Sequence, residues 1–314
     1  MSRNGCEWVA KEIQRELENH DALTPLTMPP SPDTFVLLQL DIENCFPNTD
    51  RQLAIDMMAG VASKDYVDTI FTKGSQMPSN PAFQSLVPLC HLLYGQSMSL
   101  VHHYPGRSLE TVDFETGVSQ GCTTGTPAAI LPIHFALHVA LSRHPNKTVR
   151  ALAIIDDVSL LGAARDLGPL FLDVRTVFKA TCGVDLKLPK CSLLILQMHT
   201  VVDPAPSLIS FFEQIPQLTC LPLVTQGTVV VGVPIGTAHF IHQVIRKIVA
   251  DCAADLAKLI PFPHGTFFLH ILRYSSNQKL MYWARSVSPQ LMMEHSRRFD
   301  QHVEETLLNI LTQT

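Results

Sequence analysis

The 314-residue sequence carries little charge, with 16% Asp, Glu, Lys and Arg, and it has no basic excess, its formal charge being −5. A chain that coats nucleic acid with a generally basic surface is therefore excluded, and any phosphate-tracking surface must be local. The whole deficit falls on residues 1–150, which hold 10 Lys and Arg against 15 Asp and Glu, whereas residues 151–314 hold 13 of each. There is no Cys-x-x-Cys. Cys6, Cys45, Cys90, Cys122, Cys182, Cys191, Cys220 and Cys252 are scattered through apolar segments and read as reduced thiols, mostly buried, rather than a disulfide frame or zinc site. No stretch of about 18 uninterrupted apolar residues is present, so no membrane span is expected. No apolar signal core follows the charged start, so an intracellular protein of cytoplasm or nucleus is expected. Glycine and proline follow no triplet period, which excludes a collagen-like chain. What is there is apolar: 46% hydrophobic residues, enough for a real core and too many for wholesale disorder.

Local patterning predicts a charged helix over 6–19, a Pro-rich linker over Thr24–Pro32 and a buried strand over Phe35–Leu40 that ends at Asp41. It predicts helices over 50–62, opened by Asp50 as N-cap, and over 82–94. A hairpin is expected over 98–103 and 108–114 around Pro105-Gly106. A Gly/Ser/Thr-rich loop over 117–126 then feeds a helix that runs to about Leu141. Strand, turn and strand follow over 150–161 around Asp156-Asp157, then a helix that stops at Gly183. Strands are expected over 191–196 and 228–231, and the chain from 238 onward reads as helical. The order gives an α+β fold, a mostly antiparallel sheet with helices on one face and a helical C-terminal unit.

The sharpest chemical feature is Asp156-Asp157, two carboxylates inside a run of β-forming apolar residues. Buried without partners they would be too costly, so a tight turn at a sheet rim is expected. An Asp-Asp turn that merely joins two strands satisfies this. So does a divalent-metal site, because hard cations take carboxylate oxygens. The metal reading needs a third carboxylate, for which Asp41 at its strand end is the candidate, although alone it reads equally well as a cap or turn residue. Together the three have the composition of a two-metal phosphoryl-transfer site.

The ordered set resembles the reverse transcriptase domain of non-LTR (LINE-like) retroelements. Asp41-Ile42-Glu43-Asn44-Cys45-Phe46 is similar to the first palm motif of that family, and Gly117-Val118-Ser119-Gln120-Gly121-Cys122 to its Gly-Val-x-Gln-Gly-Cys. Ile154-Ile155-Asp156-Asp157 stands where the family has aromatic-x-Asp-Asp. Gly183-Val184-Asp185-Leu186 with Lys190-Cys191 resembles the fourth motif, and Val231 to Gly236 the primer-grip hairpin. The resemblance implies a polymerase palm over 35–237, preceded by a helix and linker over 1–34 and followed by a helical thumb-like region over 238–314, with truncated fingers because only 40 residues precede Asp41. It implies RNA-directed DNA synthesis with two Mg²⁺ or Mn²⁺ ions, an RNA template, a DNA primer and deoxynucleoside triphosphates. Asp41, Asp156 and Asp157 would hold the ions, with Asp41 and Asp156 as the principal ligands. Lys190 would protonate the leaving pyrophosphate. Phe46 would exclude a ribose 2′-hydroxyl, Gln120 and Gly121 would lie beside nucleotide and template, and Gly232, Val233, Pro234, Ile235 and Gly236 would hold the primer end.

The missing fingers point to impaired activity and keep a second reading open, a catalytically decayed or domesticated palm that binds RNA or a partner protein. Gly117-Val118-Ser119-Gln120-Gly121 also matches the G-x-S-x-G elbow of serine hydrolases, which makes Ser119 a remote candidate nucleophile. His134 and His138, and His239 and His242, have ligand-like spacing without the Glu of HExxH and read as packing or surface residues. An RNA-dependent RNA polymerase shares the palm, but Phe46 favours deoxynucleotides. In the C-terminal region Tyr274, Tyr282 and Trp283 interleave with basic residues, and helix packing accounts for them more simply than phosphate contact.

Overall fold

The computed structural model describes residues 5–20, 22, 30–60, 81–96, 98–102, 110–114, 116–120, 122–145, 149–195, 204–261 and 265–312. In chain order the elements are α1 (Gly5–Asn19), β1 (Phe35–Asp41), α2 (Cys45–Asn48), α3 (Arg51–Ala59), α4 (Pro81–Gln84), α5 (Val87–Tyr94), β2 (Met98–His102) and β3 (Glu110–Phe114). They continue with α6 (Gly125–Arg143), β4 (Arg150–Ile154), β5 (Asp157–Ala163), α7 (Ala164–Cys182), β6 (Ser192–Leu194) and α8 (Pro204–Gln214). The last are β7 (Leu223–Val224), β8 (Gly227–Val230), β9 (Val233–Gly236), α9 (Ala238–Ala257), α10 (Gly265–Ile271), α11 (Asn277–Ser286) and α12 (Pro289–Thr312).

The fold is mixed α+β. A five-stranded sheet has the order β4-β5-β1-β6-β7, antiparallel except for the parallel pair β6–β7. The strand at its centre, β1, is apolar on both sides because both sides are covered. Alternate side chains of a strand point to opposite faces. Val36, Leu38 and Leu40 join Val158, Leu160 and Leu193 in a core under α3, α6 and α7. Leu37 points the other way and joins Leu161, Leu194, Ile13, Val233, Ile245 and Phe299 in a second core. Helices therefore pack on both faces, and the expectation of helices on one face is corrected. The apolar half of the second face is buried by α1 and the C-terminal helices.

Local chemistry explains the element ends near the site. Asp50 caps α3 by accepting from the Leu53 amide at 3.0 Å, and α7 stops at Gly183, whose φ of 67° is left-handed. The segment expected as one helix over 82–94 is broken after Gln84, because Pro88 begins a new first turn and has no N–H to continue the old one. Helix α8 was not anticipated. Pro204 and Pro206 look like breakers but stand in its first turn, where proline is tolerated. α6 is long and apolar enough by length and composition to cross a membrane. Here it lies against α3 and α7 with much of its surface buried in the first core. Most of the Thr24–Pro32 linker and the Pro105-Gly106 turn lie outside the described residues, though β2 and β3 do pair as a hairpin. The eight cysteines are free, five of them buried.

Candidate active site

One face of the sheet changes character along its strands. Cross-strand register aligns Leu37 with Leu161 and Leu194, then Gln39 with Ser159 and Ser192, then Asp41 with Asp157. Because side chains alternate, these rows share one face: an apolar row beneath α1, an amide–hydroxyl row, and a carboxylate row at the open end. The resemblance makes Asp41 and Asp156 the principal ion ligands. The register puts Asp157 directly across from Asp41 and leaves Asp156 in the turn, because Ile154 pairs with Asp157 and the turn falls on Ile155-Asp156. Ile155 has φ 58°, a conformation that two-residue hairpins normally give to glycine.

Asp41 and Asp157 open into a cleft of 520 Å³ that is also lined by Gln39, Ser159, Lys190, Ser192, Thr228 and Val229. Lys190 reaches it through the Asp41 backbone. The Lys187 amide donates to the Asp41 carbonyl at 2.9 Å and the Lys190 amide to the Lys187 carbonyl at 2.8 Å, winding 188–190 into one short turn. Nearby Asp185 is neutralised by Arg175 at 3.2 Å and Lys179 at 3.5 Å. Among the described residues no ion pair involves Asp41, Asp156 or Asp157. Asp157 is exposed as a whole, yet its carboxyl is pushed above the ordinary carboxylate range, first by desolvation and then by the charges of Asp156 and Asp41. The open end of the sheet therefore holds crowded negative charge.

Hard oxygen donors with uncompensated charge suit a divalent cation, so Asp41 and Asp157 fit that role. Among the described residues no three His, Cys, Asp or Glu side chains are gathered as one metal-binding group. His239 is bonded to Gln243 at 2.7 Å and His242 to His295 at 2.8 Å, while His134 and His138 are exposed on α6.

Phe46 lies on α2 just beyond Asp41, with 7% of its surface exposed and its ring in the first core. The Gly117–Cys122 loop is fastened to that same turn. The Val118 amide donates to the Phe46 carbonyl at 2.8 Å and the Gly117 amide to Thr49 at 3.1 Å. Gly117 has φ 74°, and a Cβ there would collide with the Pro47 carbonyl, so only glycine allows this approach. Arg51, 7% exposed, donates to the carbonyls of Gly117 (2.6 Å), Gln96 (3.1 Å) and Thr116 (3.3 Å) and so holds both feet of the β2–β3 hairpin. Gln120 is exposed, and Gly121 lies outside the described residues. Ser119 is not on a strand-to-helix elbow, since α6 begins only at Gly125.

The β8–β9 hairpin borders the cleft as a separate two-stranded sheet. Its cleft-lining residues are Thr228 and Val229 on β8, whereas Val233, Pro234 and Ile235 on β9 are buried. Both turn residues are left-handed, Val231 at φ 44° and Gly232 at φ 81°. Their carbonyls are held from α11: the Tyr282 hydroxyl donates to Val231 at 2.5 Å and the Trp283 indole N–H to Gly232 at 2.8 Å. The two aromatics expected as helix packing thus also clamp the hairpin. Sequence reasoning missed Arg51, which carries no local signal, and Gln39, whose signal is a lone polar residue inside an apolar strand.

No protein-family description matches the chain, and no curated protein matches it. Solved structures similar to it include telomerases. The telomerase of Candida albicans in complex with the TWJ fragment of telomeric RNA is 10% identical with a TM-score of 0.45, over 99% of this chain and 50% of that one. The apo telomerase of Candida tropicalis is 10% identical with a TM-score of 0.43, over 96% of this chain and 46% of that one. A form of the latter truncated from its C-terminal domain is 15% identical with a TM-score of 0.38, over 61% of this chain and 35% of that one. The chain thus matches half or less of the length of each.

Proposed function

We propose that the chain is an RNA-directed DNA polymerase of the reverse-transcriptase type, adding deoxynucleotides to a primer 3′-hydroxyl. The observation that carries this reading is the pairing of Asp41 with Asp157 at the open end of the sheet, in a cleft shared with Lys190 and the β8–β9 hairpin. Of the five motifs that resemble the retroelement enzymes, the first, third and fourth contribute Asp41, Asp157 and Lys190 to this cleft, and the second is fastened to the Phe46 turn by the Val118 amide. Asp41 and Asp157 would hold Mg²⁺ or Mn²⁺, with Asp156 adding charge from the turn. Held there, such ions would supply polarisation of the attacking hydroxyl and would offset charge on the leaving pyrophosphate.

The remaining roles belong to the chain's own side chains. Lys190 is exposed at the cleft and is the proton donor to the leaving pyrophosphate. Phe46, held rigid by its burial, walls the sugar of the incoming nucleotide. Gln120 and Gly121 contact nucleotide and template, and the hairpin that carries residues 232–236 steadies the primer end. The test is primer extension on an RNA template with Mg²⁺ or Mn²⁺. Extension that is lost in Asp41→Asn, Asp156→Asn and Asp157→Asn is the expected result. RNA binding without any incorporation would instead identify a non-catalytic palm.

A further inference from the structure

We infer that Gln39 is a positioning residue that fixes the β8–β9 hairpin at a set height over the carboxylate pair, and so sets where a strand end held by that hairpin meets Asp41. Its value to catalysis rests on the polymerase reading, but the coupling itself does not.

The inference starts from a polar residue where an apolar one would be simpler. The core strand β1 reads Phe35-Val36-Leu37-Leu38-Gln39-Leu40-Asp41, and Gln39 shares a face with Asp41, two residues away. Three bonds converge on its one amide. The Thr228 hydroxyl donates to Oε1 at 2.6 Å and the Ser192 hydroxyl donates to the same oxygen at 3.3 Å. Nε2 donates to the Val229 carbonyl at 3.0 Å. Thr228 and Val229 belong to β8, and Ser192 belongs to β6. One side chain therefore joins the central strand, its neighbour and the hairpin. β8 and β9 form their own sheet, so no ladder of backbone hydrogen bonds ties them to β1. The turn of the hairpin is held from α11 by Tyr282 and Trp283. The cleft side is held by Gln39, whose amide offers an acceptor for the hydroxyls and a donor for the carbonyl at once.

Three variants test this in the full chain: Gln39→Met, which keeps length and removes every bond; Gln39→Glu, which keeps the acceptor and removes the donor; and Thr228→Val. Amide hydrogen exchange over 227–236 is the primary readout. Gln39→Met is expected to speed it about tenfold, the scale of losing roughly one net hydrogen bond, while the amides of 36–38 stay protected. Gln39→Glu is expected to lie between Gln39→Met and wild type. Adding Thr228→Val to Gln39→Met should add little, because the bond it removes is already lost. With an RNA template, KM for the primer should rise about tenfold in Gln39→Met, with KM for the nucleotide unchanged. Unchanged hairpin exchange in Gln39→Met overturns the inference whatever the activity. Faster exchange in a chain whose wild type extends no primer sustains the coupling and overturns the polymerase reading instead.

Discussion

Asp157 carries the residue-scale argument because its carboxyl is raised rather than lowered. A carboxyl that binds its proton more tightly folded than unfolded loses stability as pH rises through the window between its ordinary 3.8 and its raised value. At neutral pH the crowded carboxylates therefore work against folding. Asp157→Asn should stabilise the metal-free chain by about 0.5–1 kcal/mol, the scale of a solvent-screened charge pair. Millimolar Mg²⁺ should raise the melting temperature of wild type and leave that of Asp157→Asn nearly unmoved, because a cation that binds only the folded state stabilises by mass action. Equal Mg²⁺ responses in thermal melts would remove Asp157 from the metal site. His295 gives the opposite sign. It is 1% exposed, and burial first, then His242, lowers its affinity for a proton below the ordinary 6.5. Glu294 and Arg298 on its own helix and Arg246 and His242 on α9 are the charged or titratable groups acting on it. Below pH 6.5 the unfolded chain takes up a proton that the folded chain refuses, so stability falls as pH falls. Melts between pH 7.5 and 5.5 should show a shallower decline for His295→Met than for wild type.

At the scale of elements, the β4–β5 and β8–β9 turns each hold a β-branched residue in a left-handed conformation, Ile155 at φ 58° and Val231 at φ 44°. Such a residue costs roughly 1–3 kcal/mol and persists only where its surroundings enforce it. For Val231 the enforcement comes from Tyr282 and Trp283, which grip the two turn carbonyls. Val231→Asn supplies a residue that tolerates this conformation and should stabilise the chain by about 1 kcal/mol in urea unfolding. No gain would mean that the turn is not left-handed in solution. These turns mark where sequence reading stops. The Asp156-Asp157 hairpin was legible, but its turn was placed one residue late, because isoleucine is the last residue that propensity would put at a positive φ. Strand β1 and the two carboxylate positions were legible because an apolar run that ends in Asp has few other solutions. Gln39 and Arg51 were not, because each acts through partners far away in sequence, Thr228 and Gly117, that only the folded register brings near.

The whole molecule is organised by β1, which gives alternate side chains to two cores. The first gathers α3, α6, α7 and the inner strands. The second gathers α1, the β8–β9 hairpin and the C-terminal helices around Leu37, Leu161 and Leu194. Segments expected as N-terminal, palm-like and thumb-like thus meet in one apolar cluster, reinforced at its edge by Arg150 with Glu12 and Glu16 of α1. If one strand holds both cores in register, neither should melt without the other. Leu37 is fully buried, and its replacement by alanine removes packing from the second core alone, at about 2–5 kcal/mol. Wild type and Leu37→Ala should each unfold in a single transition, reported alike by tryptophan fluorescence, which follows Trp8 on α1 and Trp283 on α11, and by far-UV circular dichroism, which follows all helices. Hydrogen exchange in α6 and α7, which Leu37 does not touch, should accelerate by the same factor as in α9 and α12. A fluorescence transition that precedes the dichroism transition in Leu37→Ala would show two units that unfold separately, and the hairpin over the carboxylates would then be carried by a part free to detach from the sheet.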